Sequence, residues 1–165
     1  MLNLNNFNEQ LIIAATNYAR HHLKIDESLW VFLSKGELFK SNKHSGRFEK
    51  DVFAIRYNQD WLKTAETDKI IRCAFHEVFH AFQFTELTKE SLGLKSNVFT
   101  AEELKQLAFE FNDENYDDTD DSWGTYLAEQ QAESYAEALY HKFLDEEKSI
   151  DQFIEKYHEL YRNKE

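Results

Sequence analysis

Residues 70–87, IIRCAFHEVFHAFQFTEL, constrain this chain more than any other stretch. Their apolar members Ile70, Ile71, Ala74, Phe75, Val78, Phe79, Ala81 and Phe82 wrap more than one helical face, so the segment is predicted to be a central buried helix packed on both sides. It nevertheless carries His76, Glu77 and His80, groups that are costly to desolvate unless something pairs with them. Residues four apart lie one above the other on a helix, so His76 and His80 can offer two imidazoles to one metal ion. Glu77 sits one residue round, where it can hold a water rather than the metal. The competing reading is a pair of ordinary, satisfied core histidines.

The rest of the chain sets bounds on that helix. At 165 residues with 15% aromatic content, it can bury a core without disulfide staples, and a single domain over 1–165 is expected. A net charge of -12, with no stripe of Lys and Arg to offset it, repels phosphate backbones and anionic membrane surfaces. Nucleic acid and membrane are therefore not expected partners. The lone cysteine, Cys73, cannot form an intrachain disulfide and is expected as a buried, inert thiol, which fits a reducing compartment. The amino terminus lacks a basic region before its short apolar run, and no stretch approaches the ~18 apolar residues of a membrane span. A cytoplasmic protein is the expectation.

Along the chain, residues 7–23 show helical spacing, with Asn5 or Asn6 available as a cap. Residues 29–33 and 51–57 read as strands separated by a polar loop at 41–46, with 37–40 as a candidate middle strand. A short helical piece opens at Trp61, and Thr67 or Asp68 is the expected cap of the central helix, which ends before Gly93. Thr100 and Glu103 form a capping-box pattern opening a helix to Phe111. The acidic run 112–122 lacks the spacing of a calcium loop and reads as solvated. Periodicity predicts further helices ending near Leu144 and over 150–161. The expected fold class is α+β: a mainly helical single domain of about five helices with a small antiparallel sheet of two or three strands.

Two histidines do not complete a catalytic zinc site, which needs three protein ligands and one open position. The best source of a third is the segment 123–144, where Glu129, Glu133 and Glu137 recur at four-residue steps along one helix face. A solvated acidic stripe is the competing reading, and Glu137 fits it best.

H-E-x-x-H followed by a second helix bearing Glu-x-x-x-Asp resembles the gluzincin metallopeptidases. Small intracellular zincins, among them repressor-cleaving enzymes of mobile elements, show a similar E-x-x-A-[DN]-x-[FY]-A string, matched here from Glu129 through Ala132, Glu133 and Tyr135 to Ala136. The resemblance implies a zincin-like domain holding Zn2+ through His76, His80 and Glu129, with Glu133 hydrogen-bonded to a zinc-bound histidine. It further implies Glu77 as general base and hydrolysis of a peptide or protein substrate. Glu133 departs from the pattern, which has Asp there; one methylene longer, it can itself reach the metal and stands as the alternative ligand.

By the same resemblance, the edge of the small sheet lines the cleft and pairs with an extended peptide, with 52–57 as the candidate edge. Tyr126, Tyr135, Tyr140 and His141 are candidate oxyanion donors. A metzincin site would need glycine at Gln83 and histidine at Glu86; a helix continuing through Gln83 turns Glu86 away and leaves Gln83 to hydrogen-bond near the site or in the core. The alternative function is a non-catalytic zincin-fold binding or regulatory module with a structural or sensing zinc. Glu77 favours the enzyme, because a closed structural site has no use for a base. A plain helical interaction protein with coincidental histidines is the remaining reading.

Overall fold

Helix α3 (Thr67–Ser91) runs through the middle of the domain, and helices α1, α4 and α5 and the sheet all pack on it. The structure is a computed structural model that describes residues 4–25, 28–41, 44–116 and 123–161. Ile70, Ile71, Ala74, Phe75, Val78 and Ala81 of α3 are buried on several sides, as their spacing predicts for an element enclosed by neighbours. Helix α1 (Leu4–Leu23) covers one side through Leu11, Ile12, Ala15, Tyr18 and Ala19, and α6 (Ile150–Tyr157) closes over α1. The Tyr18 ring joins them: Phe75, Phe143, Phe153 and Tyr157 surround it with centroids 5.1–6.0 Å away. Such rings contribute edge-to-face contacts beyond the area they bury.

The remaining helices end where their caps dictate. Short α2 (Gln59–Leu62) is capped by the Asn58 side chain, and α4 (Ala101–Glu110) by the Thr100–Glu103 capping box that the sequence predicts. Helix α5 (Leu127–Glu146) follows, and Ser149 caps α6. Glu66 occupies the cap position of α3 without a side-chain cap bond, one or two residues before the expected Thr67 or Asp68. Helix α1 already starts at Leu4, ahead of Asn5 and Asn6, and α6 stops at Tyr157, short of residue 161. Residues 117–122 of the expected acidic loop lie outside the described residues.

Five long helices, the short α2 and three strands make the α+β class the sequence predicts, among the described residues. The sheet differs in detail. Strands β1 (Trp30–Ser34), β2 (Gly46–Glu49) and β3 (Ala54–Asn58) lie in the order β1-β3-β2, with β2 antiparallel and β1 parallel to β3. It is therefore mixed rather than antiparallel. The long connection from Ser34 to Ala54 lets the chain cross back before β3, which a parallel pair requires.

Residues 37–40 form no middle strand. Gly36–Leu38 is a single 3-10 turn, pinned by the Gly36 N–H bond to Asp60 Oδ2 at 2.8 Å. A Cβ at position 36 would lie only 2.7 Å from that oxygen, so glycine is what permits the docking. Nor is 52–57 the edge: Val52 lies in a turn, and β3 is the central strand with Ile55 and Tyr57 fully buried. The edge towards α3 is β2. No helix among the described residues is long and apolar enough to cross a membrane.

Candidate metal centre

Helices α3 and α5 lie antiparallel, and three pairs one turn apart bridge them: Arg72 with Glu137, His76 with Glu133, and His80 with Glu129. The four-residue repeat on each helix puts all six on facing stripes. At the third rung the contacts converge. Glu129 Oε2 lies 2.9 Å from His76 Nε2, Glu129 Oε1 lies 3.2 Å from His80 Nε2, and the two Nε2 atoms are 3.0 Å apart. His76, His80 and Glu129 are all buried, and together they could hold a metal ion. Ligands about 2.0–2.2 Å from a tetrahedral ion stand roughly 3.3–3.6 Å from one another. The group stands near that spacing, each imidazole Nε2 on its own oxygen of Glu129 and one ligand atom from each residue within 4.8 Å of the others.

The electrostatics of the group suit a cation. Burial opposes charge on His76, but hydrogen bonds to Glu129 and Glu133 outweigh it and push the ring up to about 10. His80 is likewise raised, burial being overcome by Glu129. Burial acts on Glu129 in the opposite sense, yet His80 and His76 hold its carboxyl well below the ordinary range. The metal-free cluster thus gathers protons where a divalent ion would sit.

Glu133 faces the other nitrogen of His76, with Oε1 3.3 Å from Nδ1 and a side chain 64% exposed. Glu129, not Glu133, meets both Nε2 atoms. Glu137, which fits a solvated stripe in the sequence, is ion-paired with Arg72, and that guanidinium lies over the Tyr140 ring at 4.3 Å. Glu77 is buried beside the histidines; burial raises its pKa, against the lowering effect of His76 and His80, and the Phe48 backbone N–H of β2 donates to it.

These groups open onto a cleft of about 780 Å³ whose lining includes Gly46, Phe48, Trp61, Phe111 and Tyr116. Cys73 lines the cleft as well and is half-buried, not sealed in the core; it sits three residues before His76, on the turn that faces the opening. Burial still raises its thiol, which favours the protonated form.

Two contacts at the candidate site escape sequence reasoning. Tyr116 donates to Glu129 Oε1 at 2.9 Å while its ring stacks on Tyr126 at 4.9 Å. Glu110, at the end of α4, accepts the backbone N–H groups of Leu127 and Ala128 at 3.1 and 2.8 Å, fastening the start of α5. Of the candidate oxyanion donors, Tyr126 stacks on Tyr116 and bonds Asn115 O at 3.4 Å, Tyr135 stacks on Phe79, and Tyr140 lies under Arg72. His141 is exposed beside Glu137. Helix α3 continues through Gln83, and Glu86 pairs with Lys89 at 3.2 Å, so the metzincin arrangement is not formed.

Comparison with protein-family models, with curated proteins and with solved structures returned no match. Fold and site define a mainly helical α+β domain with a buried His-His-Glu group that could hold a metal ion.

Proposed function

We propose that this chain is a zinc-dependent peptidase of the gluzincin type, with His76, His80 and Glu129 as ligands and Glu77 as general base. One observation carries the reading: a carboxylate from α5 meets Nε2 of both α3 histidines, while a second carboxylate, Glu77, stands beside them at the cleft. A zinc ion held there would supply Lewis acidity to a scissile carbonyl and acidify a water molecule. Glu77 takes the proton from the attacking water and passes it to the leaving amine. Its burial shifts its pKa upward, in the direction a base working near neutral pH requires. The Tyr116 hydroxyl, which donates to Glu129 Oε1 at 2.9 Å, would hold that carboxylate in place as a ligand.

Strand β2 supports a peptide as substrate. Ser45 O accepts from Asn58 N at 2.8 Å, which fixes the alternation of the β2–β3 ladder. Arg47 and Glu49 then bond towards β3, and Gly46 and Phe48 turn their backbone groups towards the cleft they line. An extended peptide or unfolded segment can add there as a further strand through the Gly46 backbone groups and the Phe48 carbonyl, the Phe48 N–H being taken by Glu77. The proposed setting is the cytoplasm, where a thiol such as Cys73 stays reduced.

Glu77→Gln is the direct test. The variant is expected to bind zinc like the wild type yet cleave a fluorogenic peptide library about 10²–10⁴-fold more slowly. Full activity in Glu77→Gln, or wild-type cleavage that persists after chelation, would remove the peptidase reading.

A further inference from the structure

Gln83 is fully buried on α3, one turn beyond His80, where an apolar residue would cost nothing to desolvate. Its side chain is instead bonded on every side. Nε2 lies 3.1 Å from Ala128 O and 2.9 Å from Gln131 Oε1, both on α5, and Oε1 lies 2.9 Å from His80 Nδ1. The chemistry of the partners orients this chain of bonds. The Ala128 carbonyl can only accept, so the amide must present its NH₂ to α5 and its oxygen to His80. That oxygen can only accept, so His80 Nδ1 must carry a proton. In the neutral ring the lone pair then belongs to Nε2, the atom facing His76 Nε2 and Glu129.

We infer that Gln83 is a positioning residue that sets the tautomer and ring angle of His80, using the first turn of α5 as its anchor. The same amide therefore ties the second histidine to the helix segment that supplies Glu129, since Ala128 immediately precedes that ligand. His76 has a carboxylate, Glu133, on its Nδ1, and His80 has the neutral amide of Gln83. Partners of this kind orient a ligating imidazole and raise its basicity. For its functional meaning the inference rests on the proposed metal site; the hydrogen-bond direction stands independently of it.

The experiment compares wild type, Gln83→Met and Gln83→Glu. Methionine keeps the volume and removes the acceptor; glutamate keeps the acceptor and removes the donors to α5. Zinc affinity is measured by competition with a chromophoric chelator, and solvent exchange of the His80 Nδ1–H proton is followed by NMR in the metal-free proteins. Gln83→Met is expected to bind zinc about 10–100-fold more weakly and to lose the protected proton. Gln83→Glu is expected to bind at least as tightly as wild type and to keep that proton, although it melts earlier. A role confined to packing makes the glutamate variant bind no better than the methionine one, and that result, or equal affinity in all three, overturns the inference. If Gln83→Met does not fold, weakened zinc binding by Gln83→Glu overturns it alone. Wild type that binds no zinc removes the proposed function instead; the proton then decides, its absence from wild type refuting the assigned tautomer and its protection supporting it.

Discussion

At His76 the two ring nitrogens face different acids, and that geometry separates the roles of Glu129 and Glu133. In sequence they differ by one helical turn on the same stripe, so a metal could draw on either. The antiparallel register decides: the turn of α5 opposite His80 also reaches His76 Nε2, and the turn opposite His76 reaches only its far side. Glu133→Ala is accordingly expected to weaken zinc binding by about 10–100-fold, and Glu129→Ala to abolish stoichiometric binding, by the same chelator competition. The reverse order would exchange their roles. His76, Glu77 and His80 were legible in the sequence because one helix fixes their relative positions. Tyr116 and Glu110 were not, because their partners on α5 lie 13–18 residues further on, beyond any helical or strand period, and nothing in their local pattern points there.

Among the elements, α5 depends on α4 in a way that no periodicity announces. Its own cap position, Tyr126, supplies no side-chain bond, and the Glu110 carboxylate accepts its first backbone N–H groups instead. A carboxylate there also meets the positive end of the helix dipole. Glu110→Ala leaves buried donors unpaired, so a loss of about 1–3 kcal/mol in urea unfolding is expected, together with weaker zinc binding because Glu129 loses its support. A variant as stable and as tight-binding as wild type would show that α5 holds itself. Helix spans were legible because caps such as Thr100 and Ser149 and the 3.6-residue period are local signals. Sheet order was not: β2 has four residues and β1 five, too short to carry a pattern, and the parallel pairing depends on a crossover rather than on a hairpin.

For the molecule as a whole, the cluster at the α3–α5 interface links stability to protons and, in the proposed function, to metal. The His76 ring, raised to about 10 in the fold against an ordinary value near 6.5, binds its proton more tightly folded than unfolded. That contribution is fully present below pH 6.5 and disappears as pH rises through 10, so the melting temperature of the metal-free protein is expected to fall across this window. Zinc must displace the proton, so its apparent affinity is expected to rise from pH 6 to 8.5 with proton release, which calorimetry in buffers of differing ionisation enthalpy reads directly. No proton release at neutral pH would mean that His76 is not a ligand.

The claim that α3 and α5 together build a metal centre meets its most direct test in zinc titration of the metal-free wild type, His76→Ala and His80→Ala. One tight equivalent in the wild type, accompanied by a rise in melting temperature, and none in either variant is the expected result. A wild type that takes up no zinc, or variants that bind it equally well, would contradict the metal centre and everything drawn from it.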